Sequence, residues 1–104
     1  MKKSKIKLFV KPNSKVEHKN VIYGKANVMV QAWVLANDGL YYLQPPAVRQ
    51  GNKFSIECTF GFEEPSDALL GYEAFVVASC ERPHSPQPAL PDGDFVSVRV
   101  YREP

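Results

Sequence analysis

NVMVQAWVLANDGLYYLQPP, residues 27 to 46, is the stretch whose reading decides the fold. In an extended chain successive side chains point to opposite faces. Val28, Val30, Ala32 and Val34 therefore share one face, and Met29, Gln31, Trp33 and Leu35 share the other. Both sets are largely apolar, which predicts a central strand covered by an opposing sheet on one side and by a loop or neighbour on the other. Asn37-Asp38-Gly39 supplies residues that tolerate positive φ, so a tight hairpin should return the chain through Leu40-Tyr41-Tyr42-Leu43-Gln44. Pro45 and Pro46 end that second strand, because neither nitrogen carries a hydrogen for a ladder. Trp33, inside the apolar strand, is assigned to packing in the core of the domain.

The flanking segments repeat the pattern. KIKLFVK (5–11) alternates Ile6, Leu8 and Val10 with lysines and Phe9, and reads as a half-buried first strand that Pro12-Asn13-Ser14 breaks. Residues 16–23 form a second strand. KFSIECTF (53–60) places Phe54, Ile56, Cys58 and Phe60 on one face, after a turn-like Arg49-Gln50-Gly51-Asn52. Glu63 to Asp67 reads as a turn that caps one helical turn over Ala68-Leu69-Leu70. YEAFVVASC (72–80) and FVSVRVYR (95–102) are strands, the latter with Val96, Val98 and Val100 facing in. Between them, residues 81–94 carry four prolines and should be an extended loop. Nine prolines and six glycines in 104 residues suit short elements and turns. The expectation is one all-β domain over residues 1–104, with about seven strands in a two-sheet sandwich or a small barrel.

The middle of the chain adds a resemblance. Gly24, the strand Trp33-Val34-Leu35, the segment Tyr41-Tyr42-x-Gln44-Pro45-Pro46, then Gly61 and Gly71-Tyr72-Glu73-x-Phe75 together resemble small bacterial immunoglobulin-like β-sandwich modules over residues 16–80. The lysine-rich start and the proline-rich loop depart from the usual look of those modules. The resemblance implies an immunoglobulin-like β-sandwich with an accessory or binding role rather than catalysis. The alternative fold is a small Greek-key barrel of the OB type.

Charge is uneven along the chain. Residues 1–25 hold eight lysines against one acid, Glu17, whereas the remaining 79 residues hold five cationic side chains against ten acidic ones. Such a basic strip either attracts an anionic partner or protects an exposed edge strand from pairing with other chains. Lys3, Lys5, Lys7 and Lys11 form the candidate anion-binding set.

Catalytic motifs are sparse. His18 and His84 lie in polar, loop-like surroundings, and neither a phosphate-cradling nor a dinucleotide glycine motif occurs. Cys58, Cys80, His84 and His18 lack the close paired spacing of a zinc site, so neither metal nor cofactor is expected. The two cysteines read as buried free thiols. Leu8-Phe9-Val10, bracketed by lysines, is too short for a secretory signal, and no run approaches the roughly 18 apolar residues of a membrane span. A cytoplasmic location is the expectation.

Tyr41 and Tyr42 are neighbours on a strand, so one ring should face outward beside Gln44 and Arg49. Those four residues are the candidate contact group for a protein or glycan partner. The alternative function is binding of single-stranded nucleic acid, with the lysines on phosphates and a tyrosine stacked on a base. The loop's two Pro-x-x-Pro spacings are a further candidate, readable by an aromatic groove as a polyproline helix.

Overall fold

Phase, more than propensity, organises this chain: alternation fixes which side chains face inward, and proline or glycine sets where each strand stops. The computed structural model describes residues 5–61 and 69–102. These contain nine strands: β1 (Ile6–Leu8), β2 (Ser14–Val16), β3 (Lys19–Ala26), β4 (Val30–Leu35), β5 (Tyr41–Leu43), β6 (Val48–Gln50), β7 (Lys53–Thr59), β8 (Leu70–Ala78) and β9 (Phe95–Arg102). They build a four-stranded sheet of order β1-β3-β7-β6 and a five-stranded sheet of order β2-β9-β8-β4-β5. All pairs are antiparallel except β2 with β9.

Two of the nine strands go beyond the sequence expectation. Asn13 takes a left-handed conformation (φ 64°) and its amide donates to the Arg99 carbonyl at 2.7 Å. The chain thereby leaves β1 in one sheet and joins β9 in the other as β2. Val48–Gln50 pairs with β7 as a short edge strand, and the turn is confined to Gly51 and Asn52. Residues 62–68, where a turn and the start of a helical turn are expected, lie outside the described residues, and Leu70 already belongs to β8.

The main core lies between the sheets. It joins Ile22 of β3, Ile56 and Cys58 of β7, Ala32 and Val34 of β4, Val76 of β8 and Val100 of β9, all at most 2% exposed. Each buried isoleucine or valine among them contributes roughly 1.5–3 kcal/mol by leaving water.

Trp33 is completely buried, but it points away from this core. Register explains why: Ala32 and Val34 face the opposite sheet, so Trp33 faces out, level with Leu43 on β5 and Phe75 on β8. There it forms a second cluster with Phe75 and Val77, closed by Leu35, Tyr41, Leu43 and Leu90. Residues 81–94 fold back as the cover. Tyr41 and Gln87 exchange backbone bonds of 2.8 and 2.9 Å, and the Ser85 hydroxyl accepts from the Leu43 amide at 2.8 Å. The Trp33 indole donates to the Gln31 side-chain oxygen at 3.0 Å, and the Gln31 amide donates to the Glu81 carbonyl at 3.0 Å. The loop thus covers both an apolar face and the free edge of β5, which would otherwise offer unpaired backbone groups to other chains.

Cys58 and Cys80 are both free. Cys58 is buried as expected, but Cys80 is exposed, because β8 ends at Ala78 and releases it into the loop.

Candidate anion-binding face

The outward side of the four-stranded sheet carries the lysines. In β1, β3 and β7 the inward positions are taken by Ile6, Leu8, Ile22, Ala26, Phe54 and Ile56, so the intervening residues face solvent. Strand pairing then aligns residues distant in sequence. Lys7 lies opposite Lys25 and Lys25 opposite Lys53, so that three ammonium-bearing side chains stand in one row across three strands. One row further along the strands, Phe9 joins Tyr23 through a 2.9 Å backbone bond, and Tyr23 continues to Ser55 and Val48. Tyr23 is 59% exposed, Phe9 48% and Val48 71%.

A row of cations therefore runs beside a row of apolar and aromatic groups, about 7 Å away at two residues of strand rise. Directly opposed like charges on a sheet are destabilising, because their Cβ atoms are only about 5 Å apart. Among the described residues of β1, β3, β6 and β7 the one acid is Glu57, which lies opposite Val21, beyond the aromatic row from the lysines.

At the end of the lysine row lies a cleft of about 660 Å³, between the beginnings of β1 and β9 and the end of β3. Lys5, Lys7, Lys25, Asn27, Asn52 and Phe95 are among its lining residues. Phe95 is 51% exposed and meets Phe75 with ring centroids 5.8 Å apart. Lys5 is held at the rim by a 2.8 Å bond from its amide to the Asn27 side chain. Lys11 sits apart, in the turn whose carbonyl accepts from the Ser14 hydroxyl at 2.6 Å, and Lys3 lies outside the described residues.

Tyr41, Tyr42, Gln44 and Arg49 do not form one surface. The two tyrosines point to opposite faces as alternation requires, yet both rings are half-buried. Tyr41 packs edge-on against Phe75, with centroids 5.5 Å apart and planes at 62°. The Tyr42 hydroxyl donates to the Asp38 carboxylate, which also accepts from the Leu40 amide at 2.9 Å. These bonds hold the Asp38 carboxyl below its ordinary value, and the bond to Asp38 raises the Tyr42 hydroxyl above its own. Gln44 is only 4% exposed: its oxygen accepts from the Thr59 amide at 2.7 Å and its nitrogen donates to the Tyr42 carbonyl at 2.8 Å. It staples one sheet to the other. Arg49 donates to the Val28 carbonyl, to the Ala26 carbonyl at 2.8 Å and to the Gly51 carbonyl at 3.3 Å, clamping the loop after β3. Proximity in sequence suggested a site, whereas the polar groups of Gln44 and Arg49 are taken up inside the fold.

Tyr23, Phe9, Lys25 and Lys53 were not singled out in sequence. A usable signal existed in residues 19–25, where Lys19, Val21, Tyr23 and Lys25 share the outward face. Lys53 carried none, since only the β3–β7 register brings it alongside.

The two histidines make their contacts elsewhere. His18 Nδ1 lies 3.1 Å from the Arg102 guanidinium, while His84 is exposed in the loop and its carbonyl accepts from the Gln87 amide at 2.8 Å. Among the described residues no group of three or more His, Cys, Asp or Glu side chains is placed to hold a metal ion, and no helix is long and apolar enough to cross a membrane. Comparison with protein-family models, with curated proteins and with solved structures gives no match.

Proposed function

We propose that this chain is an immunoglobulin-like β-sandwich acting as a non-catalytic binding module, and that it takes an anionic partner on the outer face of the four-stranded sheet. The immunoglobulin-like reading is supported by strand order. Taken along the chain, β1, β3, β7 and β6 correspond to strands A, B, E and D of that fold, and β9, β8, β4 and β5 correspond to G, F, C and C′. The outward position of Trp33 and the unbridged cysteines depart from the antibody pattern of a tryptophan packed on an inter-sheet disulfide. An exposed free thiol at Cys80 favours a reducing compartment, which supports placing the module in the cytoplasm.

The observation that carries the binding function is the row Lys7, Lys25 and Lys53 beside exposed Tyr23, Phe9 and Val48. Two like-charge contacts in one row lower the stability of the isolated domain, and an anionic partner converts that repulsion into attraction. Apolar rings beside the charges add contact area that a purely protective lysine edge would not need.

Retention on a heparin resin tests the reading. The formal net charge is only +2, so firm retention requires a local patch. K25E/K53E should elute at much lower salt than K15E/R99E, which changes the net charge equally at positions in the other sheet. Equal elution of the two variants would refute a localised site.

A further inference from the structure

We propose that the partner is single-stranded nucleic acid, laid across the strands with its phosphates along Lys7, Lys25 and Lys53, its bases on Tyr23 and Phe9, and one nucleotide in the cleft over Phe95. This rests on reading the outer face of the four-stranded sheet as the binding surface.

Three features select that partner over other polyanions. First, charge and ring are segregated into parallel rows. A single nucleic-acid strand is segregated in the same way, with phosphates on one side and flat bases on the other, and stacking on aromatic side chains tolerates any base. Second, the rows run across the strands. An acidic peptide lying that way would find the backbone amides and carbonyls of β3 already committed to β1 and β7, and its own side chains would alternate between the face and solvent. Third, the row ends at a cleft where Lys5, Lys7 and Lys25 outnumber the single carboxylate, Asp94, beside Asn52 and Phe95. At about 660 Å³ it falls within the size range of small-ligand sites. Asn52 brings an amide group suited to a base edge, and Phe95, its ring tilted against Phe75, lies at the far rim.

Double-stranded DNA fits less well, because its bases are already stacked on one another and unavailable to Tyr23 and Phe9. A sulfated glycan satisfies the lysines but gives no planar base for the aromatic row.

Fluorescence anisotropy with a labelled oligothymidylate of about 12 nucleotides tests the proposal, with the matching duplex and heparin as competitors and thermal melting as the check that each variant is folded. The single strand should bind at least about tenfold more tightly than the duplex. Three phosphate contacts predict a slope of about −2 in log affinity against log salt. Tyr23→Ala should weaken binding about fivefold or more, Tyr23→Phe should restore it, and Phe95→Ala should weaken it independently. K25E/K53E should reduce both the affinity and the salt slope. Binding of the duplex equal to that of the single strand, or affinity unchanged in a folded Tyr23→Ala variant, would overturn the proposal. Retention on heparin with no oligonucleotide binding would overturn it too while leaving the anion-binding face intact, whereas loss of both would remove the face itself.

Discussion

Replacing Trp33 with alanine removes the centre of the cluster outside the main core. The indole is completely buried, and burying an aromatic side chain of this size takes on the order of 200 Å² out of water. Measured costs of truncating a buried tryptophan to alanine run at about 3–5 kcal/mol. The substitution also leaves the Gln31 side-chain oxygen without its donor, which adds about 1 kcal/mol unless water enters. A loss of about 4–6 kcal/mol follows, a large share of the roughly 5–15 kcal/mol that keeps a domain of this size folded. Urea denaturation followed by far-ultraviolet circular dichroism reads it. At a slope of about 1–3 kcal/mol per molar, the midpoint should fall by more than about 1 M. Trp33→Phe, which retains most of the ring area but not the N–H, should lie in between. Amide exchange should show residues 81–94 losing protection before β7, because the loop is held by this cluster and β7 by the other core. A midpoint within a few tenths of a molar of the parent would mean that the indole is not covered by the loop.

The remaining predictions concern the thiols and one glycine. Cys80 should react with a thiol reagent in the native protein, whereas Cys58 should react only on unfolding; two fast equivalents would contradict the burial of Cys58. Desolvation pushes the Cys58 thiol from 9.0 up to about 12, so its contribution to stability is intact below about pH 9 and lost as pH rises from there towards 12, a decline that Cys58→Ala should flatten. Gly24→Ala would drive a Cβ into the Lys7 carbonyl oxygen and to 2.5 Å from the Phe54 ring. The carbonyl belongs to the paired backbone of β1 and cannot yield, so a cost of about 3 kcal/mol and a melting temperature lower by about 10 °C or more are expected, and an unchanged melting temperature would refute the close approach.

Much of the fold was legible because alternation is a local property. Residues 53–60 and 95–102 declare their inward faces by their own sequence, and Asn37-Asp38-Gly39 declares its turn. The second covering of β4 was legible as well, from the apolar character of Trp33 and Leu35, although Met29 on the same face stays exposed. What could not be read was which cover took which face: Trp33 looks equally suited to either, and only the phase set by Ala32 and Val34 against the opposite sheet sends it outward. The sheet switch at Asn13 was hidden because a left-handed asparagine and an ordinary loop look alike in sequence. The dispersal of Tyr41, Tyr42, Gln44 and Arg49 was hidden for a related reason. Gln44 and Arg49 are polar and lie near aromatic residues, but their hydrogen-bond partners, Thr59 and the Ala26 and Val28 carbonyls, come from other strands. The lysine row is a product of register between strands far apart in the chain, and composition revealed its charge without its alignment.

The crossing of the chain at Asn13 also has a mechanical consequence. Because β2 runs parallel to β9, with Ser14, Lys15 and Val16 level with Val100, Tyr101 and Arg102, tension applied ahead of β1 and beyond β9 drags the two neighbours in opposite directions along a common axis. Their hydrogen bonds are then loaded in shear and share the force, instead of opening one after another as they would in a hairpin pulled apart from its open end. The short bridge that closes the sandwich edge is thus oriented as a clamp against being drawn out lengthwise.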